Sequence, residues 1–264
     1  DEVNPPLRSL PAPLELPVKQ HDSSTLGHLY RTGRAYGSFY WKGLKAAWAN
    51  HKDCRPIKKK LESRQALDHL IARMTRARYQ TLVREREDWS KLPRFAVLVA
   101  ICGEYLPLLI PFFPSISPKT CQIPKQITDV RKSNEERRRN GIELYTRAYA
   151  KPKQVHGTTN VGPRLSQMFI GSMSNQHLFR ASLVFSLHGK IWDRVGLVPP
   201  RALLERRLLA RMKHLLVDDL LLRESKGGVS ALSDEELRIA CEERAIPLIG
   251  KPSDALRQDL NTWL

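Results

Sequence analysis

Cysteine is scarce in this chain, and none of it is arranged for metal or redox chemistry. Cys54, Cys102, Cys121 and Cys241 show no CxxC spacing and no paired histidine, which excludes a zinc-finger site or a dithiol pair. They read as reduced, packed thiols, as suits a cytosolic or matrix compartment. The eight histidines are scattered, and His69 and His214 sit among apolar and basic neighbours on helical stretches. The chain lacks a phosphate-binding G-x-x-x-x-G-K-[ST] loop, a dinucleotide fingerprint, an H-E-x-x-H pair, a nucleophile elbow, a kinase signature and a calcium-binding loop. The set of roles an active site needs is not filled. The expectation is a non-catalytic protein with no cofactor, no metal and no small-molecule substrate. Acidic residues are also in deficit: Asp+Glu 27 against Lys+Arg 44 leaves a net charge of +17. So large an imbalance favours an anionic partner, either RNA or an anionic membrane surface.

Long apolar runs are missing with one exception, Phe95–Phe113, FAVLVAICGEYLPLLIPFF. About 18 apolar residues suffice to span a bilayer. This run is imperfect for that purpose. Glu104 lies near its centre, where a carboxylate costs roughly 2.5–3.5 kcal/mol and must face protein, water or an ion path. Pro107 and Pro111 break or kink a helix there, Gly103 loosens it, and Arg94 stands at its entrance. Composition leaves open a membrane span, a buried helix hairpin and a groove-bound segment.

The chain begins at Asp1 without an initiator methionine, so an upstream part is either removed or not included, a cleaved targeting peptide being one explanation. Residues 1–25 carry Pro5, Pro6, Pro11, Pro13 and Pro17, a density that favours extended chain laid on a partner or a disordered tail. From Ser38 a helical pattern places Phe39, Trp41, Leu44 and Trp48 near one face, flanked by Lys42 and Lys45. That face reads as a buried or membrane-interface surface, or as a platform on which bases stack. Residues 58–92 read as one long amphipathic helix with Leu67, Leu70, Ile71, Met74 and Leu82 on its apolar side. Its other faces are basic and read as a phosphate-contacting surface for RNA or lipid headgroups, the alternative being a solvated surface with internal ion pairs such as Arg84 with Asp88 at i,i+4.

Residues 119–164 read as a polar basic linker. Within it Ser133-Asn134-Glu135-Glu136 fits a capping box that would open a short helix at Arg137-Arg138-Arg139. KPKQVHGTTNVGP, 151–163, is loop chemistry. Residues 165–264 read as a compact helical domain. Helices are expected at Leu165–Ile170 and Asn175–His188, and Pro199-Pro200 opens a long helix, Arg201–Glu224, closed by Gly227-Gly228. Leu204, Leu208, Met212, Leu215 and Leu222 form its core stripe. Ser233-Asp234-Glu235-Glu236 caps the next helix and Ser253 the last. Ser182–Arg211 and Leu232–Leu264 share a layout and read as a weak internal repeat. Ser233–Leu264 is net acidic, so it should pack internally or meet a protein rather than a phosphate backbone.

Several of these pieces, in order, resemble the Letm family of mitochondrial inner-membrane proteins. They are Phe39-Tyr40-Trp41-Lys42-Gly43-Leu44; the stretch TRARYQTLVREREDWSKLPRFAVLVAICGEYLPLLIPFFPSISPKT with Glu104 at its centre; Asn175–Lys213; and LSDEELRIACEERAIPLIGKPSDALRQDLNTWL. The resemblance runs from Phe39 to Leu264 with a gap in the 140s to 160s. It implies an all-α fold: a multi-helix Letm-type ribosome-binding domain (14-3-3-like helical layers), residues 165–264, preceded by basic amphipathic helices, residues 26–118, that include the apolar segment 95–113. It also implies a mitochondrial location, in the matrix or at the inner membrane. The expected partners are the mitochondrial ribosome, through rRNA and ribosomal proteins of the large subunit, with inner-membrane lipids as a further candidate. The alternative is an inner-membrane factor for potassium/proton homeostasis and membrane protein insertion, with Glu104 in or near an ion path. The candidate ribosome contacts are Lys58, Lys59, Lys60, Arg73, Arg76, Arg78, Arg137, Arg138, Arg139, Arg206, Arg207, Arg211 and Lys213. The high charge and the paired prolines of the apolar run favour the ribosome-bound reading.

Overall fold

Apolar residues at three- and four-residue spacing organise this chain into helices. The computed structural model describes residues 2–18, 24–61, 74–102, 116–148 and 167–264. These residues hold nine α-helices and no strand. In chain order they are α1 (Thr25–Leu61), α2 (Arg76–Cys102), α3 (Pro124–Ala148), α4 (Gln167–Ser172), α5 (Asn175–Val184), α6 (Lys190–Val195), α7 (Arg201–Glu224), α8 (Asp234–Glu243) and α9 (Ser253–Trp263). The chain divides into two compact units, Asp1–Val130 and Arg131–Leu264, with the division inside α3.

In the first unit α1 packs on α2. Phe39, Tyr40, Phe95, Cys121 and Ile123 form the buried centre, with Leu14, Tyr36, Leu44, Leu98, Val99 and Ile116 around it. The expected single helix over 58–92 is instead parts of two. Lys58 on α1 pairs with the buried Glu85 on α2, and His51 lies 2.7 Å from the same carboxylate. Residues so far apart along one straight helix could never touch, because each residue adds about 1.5 Å of rise. Residues 62–73, with Arg64, Arg73, Leu67, Leu70 and Ile71, lie outside the described residues. Asp88 does not serve as a surface partner. Its buried carboxylate accepts the Lys119 backbone N–H at 2.6 Å, and burial raises its pKa against the pull of that bond.

The proline-rich arm is ordered by its own chain. Val3 and Ser9 are buried, and Leu7–Ser9 form a 3₁₀ turn. Ala77 N–H donates to Glu2 O at 3.0 Å, Arg76 donates to Val3 O at 3.0 Å, and Arg84 donates to Ser9 Oγ at 3.0 Å. Arg8 reaches Asn50 and pairs with Asp53. Extended proline-rich chain leaves carbonyls without helical partners, and Arg76, the Ala77 N–H and Asn50 supply donors to them.

The short basic helix expected at Arg137 is a correction of another kind: α3 starts much earlier, at Pro124. Proline suits the first helical position, and Gln126 reaches back to accept the Ile123 N–H at 2.9 Å, the reciprocal half of a capping box. With the helix already running, Ser133 is an interior residue and its box caps nothing.

In the second unit α4, α5 and α7 enclose Ile170, Leu178, Phe185, Leu204, Leu208, Met212 and Leu215. Each fully buried leucine contributes about 1.5–3 kcal/mol. The α8–α9 hairpin adds Leu237, Ala240, Cys241, Leu256 and Leu260, all fully buried. Two of its acidic residues find a partner within the chain: Arg131 of α3 pairs with Glu235 at 2.7 Å and Glu242 at 3.2 Å. A local capping motif recurs, at residues other than those of the expected repeat. Ser174–Leu187 and Ser233–Ile246 each run from an N-cap serine through a short helix to a left-handed residue, Ser186 (φ 51) or Ala245 (φ 59). Both close with the same reverse bond, Leu187 N–H to Ser182 O and Ile246 N–H to Cys241 O.

Cys54, Cys121 and Cys241 are buried free thiols, and burial raises Cys54 and Cys241 to about 11 and Cys121 to about 12.

Candidate functional site

The thirteen candidate contact cations separate by burial. Arg76, Arg137 and Arg138 are buried and engaged within the chain, which corrects their assignment as surface contacts. Arg76 holds the N-terminal arm through Val3 O. Arg138 donates to Ala245 O at 3.0 Å and pairs with Glu135, so it tethers the end of α8 to α3. Lys58 is half-buried against Glu85. Lys59, Arg78 and Arg139 are exposed. The side chain of Lys60, and Arg73 and Glu104 altogether, lie outside the described residues.

Arg137 belongs to a buried series that joins α3, α5 and α6. Its Nε lies 2.9 Å from Asp193 Oδ2, and it donates to His188 O at 3.0 Å. Asp193 Oδ1 accepts from His188 Nε2 at 2.8 Å, and Ser182 Oγ donates to His188 Nδ1 at 2.6 Å. Serine, histidine and aspartate in series can serve a nucleophile elsewhere. Here Ser182 is 1% exposed and Phe179 stacks on the imidazole at 5.4 Å, so the series joins helices and presents no nucleophile.

Burial lowers the His188 pKa below its ordinary 6.5, against the opposing pull of Asp193. The unfolded chain therefore takes up a proton that the folded chain refuses, and stability falls as pH drops through about 6.5, by at most about 1.4 kcal/mol per pH unit. Above that pH the group contributes no slope. Urea midpoints taken between about pH 7 and 5.5 should fall less steeply for His188→Gln than for the unaltered chain.

On α7 the core stripe of Leu204, Leu208, Met212, Leu215 and Leu222 is buried as its spacing predicts. The opposite face carries Arg206, Ala210 and Lys213, all exposed. Arg207 is exposed but donates to Leu187 O at 2.7 Å, and Arg211 is half-buried. Further along this face Leu216 and Leu220 stand exposed. The α6 region adds a second apolar feature: Ile191, Val195, Leu197 and Val198 are each more than half exposed, beside exposed Lys190 and Arg194. This exposure was not legible in the sequence, because nothing in the spacing of so short a helix says which face lacks a cover.

In the first unit the aromatic face of α1 divides in two. Phe39 is buried, whereas Trp41 and Trp48 are 60% and 63% exposed. At 100° per residue, positions two apart point to opposite sides and positions seven apart share one, so the expected grouping of Phe39 with the tryptophans is corrected. Among the described residues no cluster of His, Cys, Asp and Glu could hold a metal ion, and no helix is long and apolar enough to cross a membrane. Most of the apolar run, from Gly103, lies outside the described residues.

The described residues form an all-helical protein that displays cations along helix faces. Residues 164–264 match the family described as LETM1-like, RBD. The matched stretch holds α4 to α9 and supports an assignment to the Letm family. No solved structure matches the chain.

Proposed function

We propose that this protein is a non-catalytic, ribosome-bound factor of the mitochondrion, engaging rRNA and ribosomal proteins of the large subunit. The match of residues 164–264 to a Letm-type ribosome-binding domain carries the reading. The exposed cations Arg206 and Lys213 on α7, with Arg139 on α3, suit phosphate contacts. The apolar surface of Ile191, Val195, Leu197 and Val198 suits a protein contact. In the first unit, Lys59 and Arg78 remain as candidate phosphate contacts.

The purified chain mixed with mitochondrial ribosomes should pellet with them at low salt and be released progressively as salt rises. A chain that stays in the supernatant at low salt contradicts the reading.

A second reading, an inner-membrane factor for potassium/proton balance and protein insertion, is favoured by one observation. Val97 and Ile101, 58% and 78% exposed near the end of α2, lead into the apolar remainder of the run. Retention in mitochondrial membranes after carbonate extraction supports that reading, and full release opposes it.

A further inference from the structure

The outer face of α1 repeats two kinds of side chain. Tyr30, Arg34, Trp41, Lys45, Trp48, Lys52 and Arg55 are all exposed, and at 100° per residue they fall within about 80° of one another. The face extends about 37 Å at 1.5 Å per residue. It bears no carboxylate: Asp53 is the sole acidic residue of α1, it lies off this face, and Arg8 pairs with it. The Lys45 ammonium sits 5.4 Å from the centre of the Trp41 ring. The helix spends its own packing residues on the other side, where Phe39, Tyr40 and Ala47 are buried. Nothing within the first unit requires Trp41 and Trp48 to be tryptophan.

We propose that this face of α1 is a binding surface for single-stranded RNA, on which Trp41 and Trp48 stack bases while Arg34, Lys45, Lys52 and Arg55 meet phosphates. A flexible polyanion with an unstacked ring on each repeating unit is the ligand that uses both side-chain types together. Trp41 and Trp48 are about 10 Å apart along the axis, room for consecutive nucleotides to lie between and over the rings. A bilayer surface fits less well. A helix lying in the interface buries a continuous apolar strip and keeps its cations at the edges. Here the cations alternate with the aromatics along the axis and interrupt any continuous apolar strip, and no Leu, Ile, Val or Phe stands among them. Glu15 of the N-terminal arm lies in the same cleft as Arg34, but from Trp41 to Arg55 α1 presents no acid on this face, as suits a polyanion, whereas a folded protein partner presents charges of both signs. The surface lies on the first unit, outside the stretch that matches the Letm family, so the inference goes beyond the ribosome-bound reading and does not need α7.

The test uses the full chain and a short fluorescein-labelled oligouridylate, read by fluorescence anisotropy at several salt concentrations. Trp41→Ala with Trp48→Ala should weaken binding at least about tenfold, since losing a stacked base costs about that factor or more. Trp41→Phe with Trp48→Phe should restore most of the affinity, a rescue that a purely electrostatic face would not show. Lys45→Gln with Lys52→Gln should lower the slope of log affinity against log salt by about 1.4, near 0.7 for each phosphate contact to a single strand. All four positions altered are exposed, and unchanged thermal melting checks that the fold is intact. Unchanged oligonucleotide affinity in the alanine pair overturns the proposal. So does loss of binding to phosphatidylglycerol-containing vesicles in that pair with RNA affinity intact, which would assign the face to lipid. If the chain pellets with ribosomes while the alanine pair binds RNA normally, this inference fails and the ribosome reading stands. If the pair loses RNA and the chain does not pellet with ribosomes, the reverse holds.

Discussion

Replacing Arg244 with alanine should cost the second unit about 3–5 kcal/mol, the usual effect of removing one partner from a buried ion pair. Arg244 is 1% exposed at the C-cap of α8. Its Nε donates to Asp219 Oδ1 at 2.9 Å, its Nη2 to Asp218 Oδ2 at 2.8 Å, and its Nη1 to Ala240 O at 2.9 Å. Trp263 Nε1 completes the group by donating to Asp219 Oδ2 at 3.1 Å. Burial alone would lower the arginine pKa, but the carboxylates of Asp218 and Asp219 hold it above the ordinary value. With the guanidinium gone, two carboxylates on adjacent residues of α7 are left facing each other out of water. A domain is stable by only about 5–15 kcal/mol, so the loss is a large part of the total. Urea unfolding followed by far-ultraviolet circular dichroism reads it. Arg244→Lys should recover only part, because an ammonium cannot make the forked contact to both acids. A midpoint for Arg244→Ala equal to that of the unaltered chain would sink this account of how α7, α8 and α9 are joined.

The second large effect belongs to the first unit. A Cβ added at Gly43 would lie 2.6 Å from Thr120 O and 2.7 Å from Cys121 Sγ, where the Lys119–Cys121 turn presses on α1. The first of these atoms is backbone and cannot rotate away. The turn is itself pinned by Asp88 through the Lys119 N–H. Gly43→Ala should therefore destabilise by about 1–3 kcal/mol, the range for overpacking, despite alanine's better helix propensity. Gly33 and Gly37 are on the same helix, and a Cβ at either meets nothing within 4 Å. Gly37→Ala should stabilise by about 0.5–1 kcal/mol. Opposite signs of the change in melting temperature for the two substitutions check the prediction. Two shifts of the same sign contradict the close approach at Gly43.

The helical character of this chain and the inward face of α7 were legible because periodicity directly reports which residues are buried. Leu204, Leu208, Met212, Leu215 and Leu222 share a stripe, and all are buried. The contact residues were harder to read because an arginine has the same sequence signature whether it meets a phosphate or a carbonyl. Arg137-Arg138-Arg139 reads as a uniform basic cluster, yet two of the three are consumed by Asp193, His188 O, Glu135 and Ala245 O. Arg76 and Arg84 likewise serve the proline-rich arm, a long-range relation that no local spacing discloses. The error over residues 58–92 has a related cause. The basic residues on both sides of the reversal keep a helical spacing, and only the meeting of Lys58 with Glu85 reveals two helices. The net acidic composition of the C-terminal hairpin points to internal packing or a protein contact, and Arg131 supplies an internal partner for Glu235 and Glu242.

The function proposed for the Letm-type domain requires that its outward cations on α7 meet the ribosome. Charge reversal at Arg206 and Lys213 is the most direct measurement. Both residues are exposed, so the double variant Arg206→Glu with Lys213→Glu should melt as the unaltered chain does. Co-sedimentation with mitochondrial ribosomes through sucrose at low salt should then fall at least about tenfold, since two phosphate contacts are turned into repulsions. A folded double variant that pellets with ribosomes as fully as the unaltered chain would contradict the account.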